Sequence, residues 1–135
     1  GIVDMDDFKN INDTYGHLMG DRVLESFTRI ARDSVRRQDI VGRFGGEEFM
    51  LVLPGVDIQG AETILRRIHK ALRQEFDGAV AGLAFSAGFT ELSREQVGSL
   101  TKEAIIGQVD ALMYEAKRAG KQRFAAPGRM ALLDG

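Results

Sequence analysis

Three carboxylates fall within four residues near the start of the chain, at Asp4, Asp6 and Asp7, directly after the apolar pair Ile2-Val3. A second acidic pair, Glu47-Glu48, follows Gly45-Gly46 and precedes Phe49. Carboxylates at the end of a strand, joined by others from a neighbouring hairpin, make an oxygen-rich site suited to Mg²⁺ or Mn²⁺. A metal held there bridges phosphate oxygens and offsets the charge that builds up in phosphoryl transfer. A plainer role is also open, in which Asp6 and Asp7 cap a helix beginning near Phe8. Capping suits Asp7 best. It explains Asp4 least, because an unpaired charge beside an apolar strand is costly. Gly45 and Gly46 permit a positive φ and a close approach of backbone to ligand. In a regular strand Glu47 and Glu48 would point to opposite faces, so only a turn lets both reach one ligand. Taken alone, the pentapeptide fits a solvated acidic hairpin tip as well as a catalytic loop.

Such acids are useful only if the fold brings them together. Phe8 to Tyr15 reads as a short helix ended by Gly16, and Val23, Leu24, Phe27, Ile30 and Ala31 recur at helical spacing between Met19 and Val35. Ile40 to Phe44 and Phe49 to Leu53 are strand-like around the glycine pair, and Pro54-Gly55 ends the second. Ile58, Ala61, Ile64, Leu65, Ile68 and Leu72 form another helical stripe, which leaves His69 on the surface side. Val80 to Phe89 reads as a buried strand. Val109, Leu112, Met113 and Ala116 mark a late helix ending before Gly120, and Gln122 to Ala125 an edge strand.

The order β-α-α-β-β-α-β-α-β predicts an α+β fold with a split βαβ, ferredoxin-like arrangement, helices lying on one face of a mostly antiparallel sheet. In that topology the third strand runs antiparallel beside the first, so Asp4 and Glu47-Glu48 meet at one sheet edge. One domain over residues 1–125 is expected, with the start of its first strand missing, followed by a tail or linker over 126–135.

Composition narrows the chemistry. The 18 basic and 20 acidic residues leave a net charge of -2, which provides no global footprint for nucleic acid or an anionic membrane. Any phosphate-binding group must be local. The absence of cysteine excludes disulfides, thiol catalysis and Cys-ligated zinc. It is also compatible with a cytoplasmic setting. No apolar run approaches the roughly 18 residues of a membrane helix.

Four blocks in register resemble the GGDEF family of diguanylate cyclases, in its GGEEF form. They are Asp4 through Asp13 with Gly16-His17 and Gly20-Asp21, then Gly45 through Phe49, then Ser86-Ala87-Gly88, and finally Asp110 through Lys117. The resemblance spans about residues 1 to 125. It implies condensation of two GTP into cyclic di-GMP, with Asp4, Glu47 and the Met5 carbonyl as ligands of Mg²⁺ or Mn²⁺. Glu48 would lie close to the metal and the reacting phosphate. One of the two glutamates would deprotonate the attacking ribose 3′-hydroxyl; which one is left open.

Asn12 and Asp21 match guanine-reading positions, and an Asp can accept from the guanine N1-H and N2-H₂ pair. As residues alone, Asn12 equally ends a helix and Asp21 equally caps one. Phe8 and Lys9 would lie under the phosphates through their backbone N–H groups. Lys117 and Lys121 match positions that hold the terminal phosphates. The family commonly has Arg at the second, and Lys lacks the bidentate fork. Arg36 and Asp39, in Arg36-Arg37-Gln38-Asp39, match an RxxD site for inhibition by the product, and Arg67 falls where a second arginine for the same ligand is often found. Cations at a helix C-terminus followed by a turn aspartate give the same pattern without a ligand. A structural hydrogen bond near the Gly16 turn suits His17 better than catalysis.

The reaction joins two GTP and so demands a homodimer, and the resemblance implies an upstream sensor or receiver domain. The alternatives are a non-catalytic c-di-GMP receptor, another metal-dependent nucleotidyl cyclase or polymerase palm, and a structural interaction module. Retention of Asp4 and both hairpin glutamates favours an enzyme.

Overall fold

Strand β1 (Ile2–Met5) is flanked on both sides by antiparallel partners, β3 (Glu48–Val52) and β4 (Phe85–Gly88). The computed structural model, which describes residues 1–134, adds β2 (Ile40–Arg43), β5 (Arg123–Ala126) and β6 (Arg129–Leu132). The six form one sheet of order β2-β3-β1-β4-β5-β6. All neighbours are antiparallel except β4 and β5. That parallel pair needs a crossover, which α4 (Arg94–Ser99) and α5 (Lys102–Arg118) supply. The remaining helices are α1 (Phe8–Tyr15), α2 (His17–Ser34) and α3 (Ile58–Phe76).

Alternation along the strands divides the core in two. Val3, Met5, Phe49, Leu51 and Phe85 face a large cluster closed by Phe27 and Ile30 of α2 and by Leu65, Ile68 and Leu72 of α3. Ile2 and Met50 turn the other way and pack with Val109 and Met113 of α5. Helices therefore cover both faces, not one as the element order suggested. The reason is that the second face also carries apolar residues, and leaving them in water forfeits roughly 25 cal/mol per Å² of burial.

Phe27 ties the first layer together, with its ring centroid 4.4 Å from Phe49 and 5.4 Å from Phe85. Gly88 lets α5 sit close on β4. A Cβ there would stand 2.3 Å from the Met113 backbone nitrogen and 2.5 Å from the Val109 carbonyl oxygen.

Several expectations need correction. The strand read over Val80 to Phe89 is regular only at Phe85–Gly88, although Val80, Leu83 and Ala84 are buried. β5 is internal rather than an edge, because the segment expected as a tail from Ala126 onward folds back as β6 and buries Leu133. Residue 135 lies outside the described residues. His69, expected at the surface, is fully buried with its ring edge-on to Phe85 at 4.8 Å. Its neighbours Leu65, Ile68 and Leu72 share that face, and burial lowers its pKa to about 4, so the ring is neutral.

The Gly88 contacts are with backbone, which cannot swing aside. Gly88→Ala is expected to lower stability by about 2–3 kcal/mol through overpacking, measured by urea unfolding.

Candidate active site

The row of residues that faces α5 near the end of β1 carries the polar chemistry. Asp4 is paired in register with Glu48 on one side and Ser86 on the other. Phe49, next along β3, enters the opposite core and is 1% exposed, so alternation keeps Glu48 on the side of Asp4. Glu47 precedes the strand and escapes this alternation. Its carbonyl accepts from the Met5 N–H at 3.2 Å, which draws the hairpin to the end of β1.

The hairpin is closed from within. Phe44 and Gly45 N–H groups donate to the Glu48 carbonyl at 2.8 and 3.2 Å, and the Arg43 guanidinium donates to the carbonyls of Gly45 and Gly46. Neither Gly45 nor Gly46 uses the left-handed conformation that glycine permits. A Cβ on Gly46 would meet nothing within 4 Å, and one on Gly45 only the Glu48 side chain, from 3.7 Å.

Three acids so close together resist ionisation. Burial raises the pKa of Asp4, Glu47 and Glu48, and the charge of Asp4 raises both glutamates further. The Lys117 ammonium opposes the rise at Asp4 and Glu47. It reaches down from α5 to lie 2.9 Å from Asp6 Oδ1, 3.1 Å from the Met5 carbonyl, 3.2 Å from Asp4 Oδ1 and 3.4 Å from the Asp4 carbonyl. Lys117 is thus half-buried in the acidic site rather than solvated.

Asp6, for which capping was the plainer of two roles, is not a helix cap. Its carboxylate is 2% exposed and accepts from Ser86 Oγ at 2.7 Å, from Lys117 and from the Gln122 N–H at 3.0 Å. The available signal was that Asp6 follows the same apolar strand as Asp4, where a buried charge needs partners. Asp7 occupies the N-cap position of α1 at φ 50° but makes no side-chain cap, and its carboxylate instead pairs with Lys121. Lys121 and Gln122 both adopt left-handed backbone, at φ 65° and 53°. The turn is held by Lys121 N–H to the Ala116 carbonyl at 3.1 Å and by Gln122 N–H to Asp6.

The other expected residues divide into separate groups. Phe8 is buried in the core, while Lys9 is exposed, and both lie in the first turn of α1, where N–H groups lack helical acceptors. Asn12 lies within α1 rather than ending it, and its Oδ1 is 1.9 Å from where a Cβ on Gly20 would stand. Glycine at 20 thus admits the Asn12 amide against α2. Asp21 lies inside α2 rather than capping it, and with Leu24, Glu25, Thr28, Arg43 and Phe49 it lines a cavity of about 320 Å³ beside the hairpin. Asn12 is not part of that lining. His17 is exposed at the start of α2.

Arg36 and Asp39 stand apart after α2. The Arg36 N–H and Nε donate to Asp39 Oδ2 at 2.8 and 3.2 Å, and Nη2 donates to Oδ1 at 2.8 Å and to the Pro54 carbonyl. These bonds hold the Asp39 carboxyl below its ordinary pKa. Arg67 is exposed on α3 and forms no ion pair among the described residues.

Among the described residues no three His, Cys, Asp or Glu side chains close into a metal cage by themselves. The oxygens of Asp4 and Met5 nevertheless converge on a cation, the Lys117 ammonium, with the hairpin glutamates beside them. Hard carboxylate and carbonyl donors suit Mg²⁺ or Mn²⁺, so the residues fit such an ion in kind.

A sheet whose central strand ends in carboxylates, facing an acidic hairpin, defines an α+β domain of the nucleotidyl-cyclase type. The chain matches the family model "Diguanylate cyclase, GGDEF domain" over residues 2–123 and belongs to that family. It is 37% identical over 125 residues to diguanylate cyclase DgcP of Pseudomonas aeruginosa, covering 90% of this chain and 18% of that protein. The solved structure of diguanylate cyclase SiaD with its activator SiaC, from the same organism, superposes with a TM-score of 0.80 at 34% identity, over 93% of this chain and 48% of that one. The GGDEF domain of DgcB from Caulobacter crescentus, solved in complex with c-di-GMP, gives 0.81 at 26%, over 95% and 76%. The chain spans between 18% and 33% of the curated relatives' length. No helix among the described residues is long and apolar enough to cross a membrane.

Raised carboxyl pKa values mean that the folded chain keeps these protons where the unfolded chain has released them. Stability therefore falls as pH climbs from the ordinary carboxylate range through the raised values. Glu48→Gln in EDTA is expected to unfold a few degrees higher than the parent at pH 7 by calorimetry. The gain should vanish below about pH 4, where the parent's acids are protonated as well.

Proposed function

We propose that this domain is a diguanylate cyclase that condenses two GTP into cyclic di-GMP with release of two pyrophosphates. The observation that carries it is the meeting of Asp4, Glu47 and Glu48 where the end of central strand β1 adjoins the hairpin, with Lys117 bonded to Asp4. Asp4, the Met5 carbonyl, Glu47 and Glu48 would hold Mg²⁺ or Mn²⁺, which when bound supplies charge neutralisation at the phosphates.

In each step the ribose 3′-oxygen of one GTP attacks the α-phosphorus of the other. Its proton passes to a hairpin glutamate acting as the general base. The bond from the α-phosphorus to the bridging oxygen breaks, and pyrophosphate leaves with that electron pair. A second attack closes the ring. Lys117 and Lys121 bind the terminal phosphates, and the first-turn N–H groups of Phe8 and Lys9 donate to phosphate oxygens. Asp21, in the lining of the cavity beside the hairpin, reads the guanine edge together with Asn12. The rest is positioning and electrostatics, as phosphoryl transfer generally requires.

Each domain presents one GTP, so turnover requires two copies face to face, brought together by an upstream sensor or receiver domain in a cytoplasmic protein with access to GTP. Arg36, Asp39 and Arg67 form a site for the product. The Arg36 fork is already aligned by Asp39 and can turn to phosphate or to the guanine O6/N7 edge.

Incubation with GTP and Mg²⁺, followed by chromatography, should yield c-di-GMP. No product at high protein concentration, together with tight c-di-GMP binding, would identify a receptor instead. Glu47→Ala is expected to lower kcat/KM by at least about 100-fold; a variant that still cyclises GTP at the parental rate rules out Glu47 as a ligand or base. Arg36→Ala should relieve product inhibition while leaving the initial rate intact, and unchanged inhibition in a progress-curve assay would reject that site.

A further inference from the structure

We propose that Lys117 is a built-in competitor for the metal: its ammonium holds the oxygens of Asp4 and Met5 that a divalent cation would take, so that cation entry and lysine release are a single event. The inference rests on the assignment of Asp4 and the Met5 carbonyl as metal donors.

Of the four oxygens within 3.4 Å of Lys117 Nζ, Asp4 Oδ1 and the Met5 carbonyl belong to that donor set. A divalent ion and an ammonium drawn to the same two oxygens repel each other, and in a half-buried site the repulsion is poorly screened. The fourth contact separates the two cations. Asp6 Oδ1, the nearest oxygen at 2.9 Å, lies outside the donor set and is held in place by Ser86 and, through its partner oxygen, by Gln122. Asp6 thus gives the lysine a hold that the metal does not contest.

Release needs no unfolding. The Lys117 side chain is 20% exposed and leaves from the last turn of α5. It can give up Asp4 and Met5 while keeping Asp6, or turn outward to a phosphate oxygen. Metal and nucleotide then assist each other, since the ion takes the oxygens and the triphosphate takes the lysine, and such coupling is reciprocal. Lys121 is the internal contrast. It carries the same charge four residues on but pairs with Asp7 and touches none of these oxygens.

The test is Mn²⁺ titration without nucleotide, followed by the paramagnetic resonance signal of the free ion. Lys117→Met is expected to bind Mn²⁺ about tenfold more tightly than the parent, and Lys121→Met within about twofold of it. Mn²⁺ should also raise the melting temperature further in Lys117→Met than in the parent. Lys117→Gln, which keeps a polar side chain, carries the same expectation should the Met variant be insoluble. Equal or weaker Mn²⁺ affinity in both Lys117 variants overturns the proposal. So does a lower melting temperature with an unchanged Mn²⁺ increment, the mark of a purely structural ion pair. If parent and variants alike bind no Mn²⁺, the donor assignment falls together with the inference, whereas equal binding in all leaves that assignment standing.

Discussion

β1 is only four residues long and sits between two antiparallel partners, so every side chain on it is committed to one face. Val3 and Met5 anchor the strand in the core beneath α2 and α3, while Ile2 and Asp4 turn toward α5. Phe49 does the same for the hairpin by filling the space beside Phe27, which leaves Glu48 next to Asp4. A slip of one residue in either pairing would carry an acid into the apolar layer and a hydrophobe out of it. The placement of the carboxylates therefore follows from apolar packing.

Bringing the acids together works against stability, and the surroundings show how the cost is limited. Asp6 is surrounded by donors from three elements: Ser86 on β4, Lys117 on α5 and the Gln122 N–H after it. That set of partners satisfies the buried carboxylate with hydrogen bonds. Asp4, Glu47 and Glu48 have fewer partners, and all three are shifted toward the protonated form. Destabilised groups of this kind concentrate where a charged ligand is bound.

Much of the fold was legible because hydrophobic spacing is a local property. The stripes through Val23 to Ala31 and Ile58 to Leu72 correspond to α2 and α3, and the strand–glycine–strand pattern to β2 and β3. Legibility failed where tertiary contacts act. Arg129, Met130 and Leu132 look like tail residues, yet β6 forms because β5 offers an edge and Arg129 pairs with Glu62 on α3. His69 looks like a surface residue but lies between apolar neighbours on the buried side of its helix. Asp7 looked like a cap, and the left-handed backbone there sends its carboxylate to Lys121 instead.

By itself the sequence determined the family, the α+β class and the meeting of the first and third strands, because motif spacing and periodicity are written along the chain. It also named Asp4, Glu47 and Glu48 as one group. Only the tertiary structure decided that Lys117 lies among the Asp4, Met5 and Asp6 oxygens, and that Asp6 is buried and held by three hydrogen bonds. These are contacts between residues up to 116 positions apart. Their partners are chosen by how α5 and the turn after it pack on the sheet, and no local pattern encodes that distance.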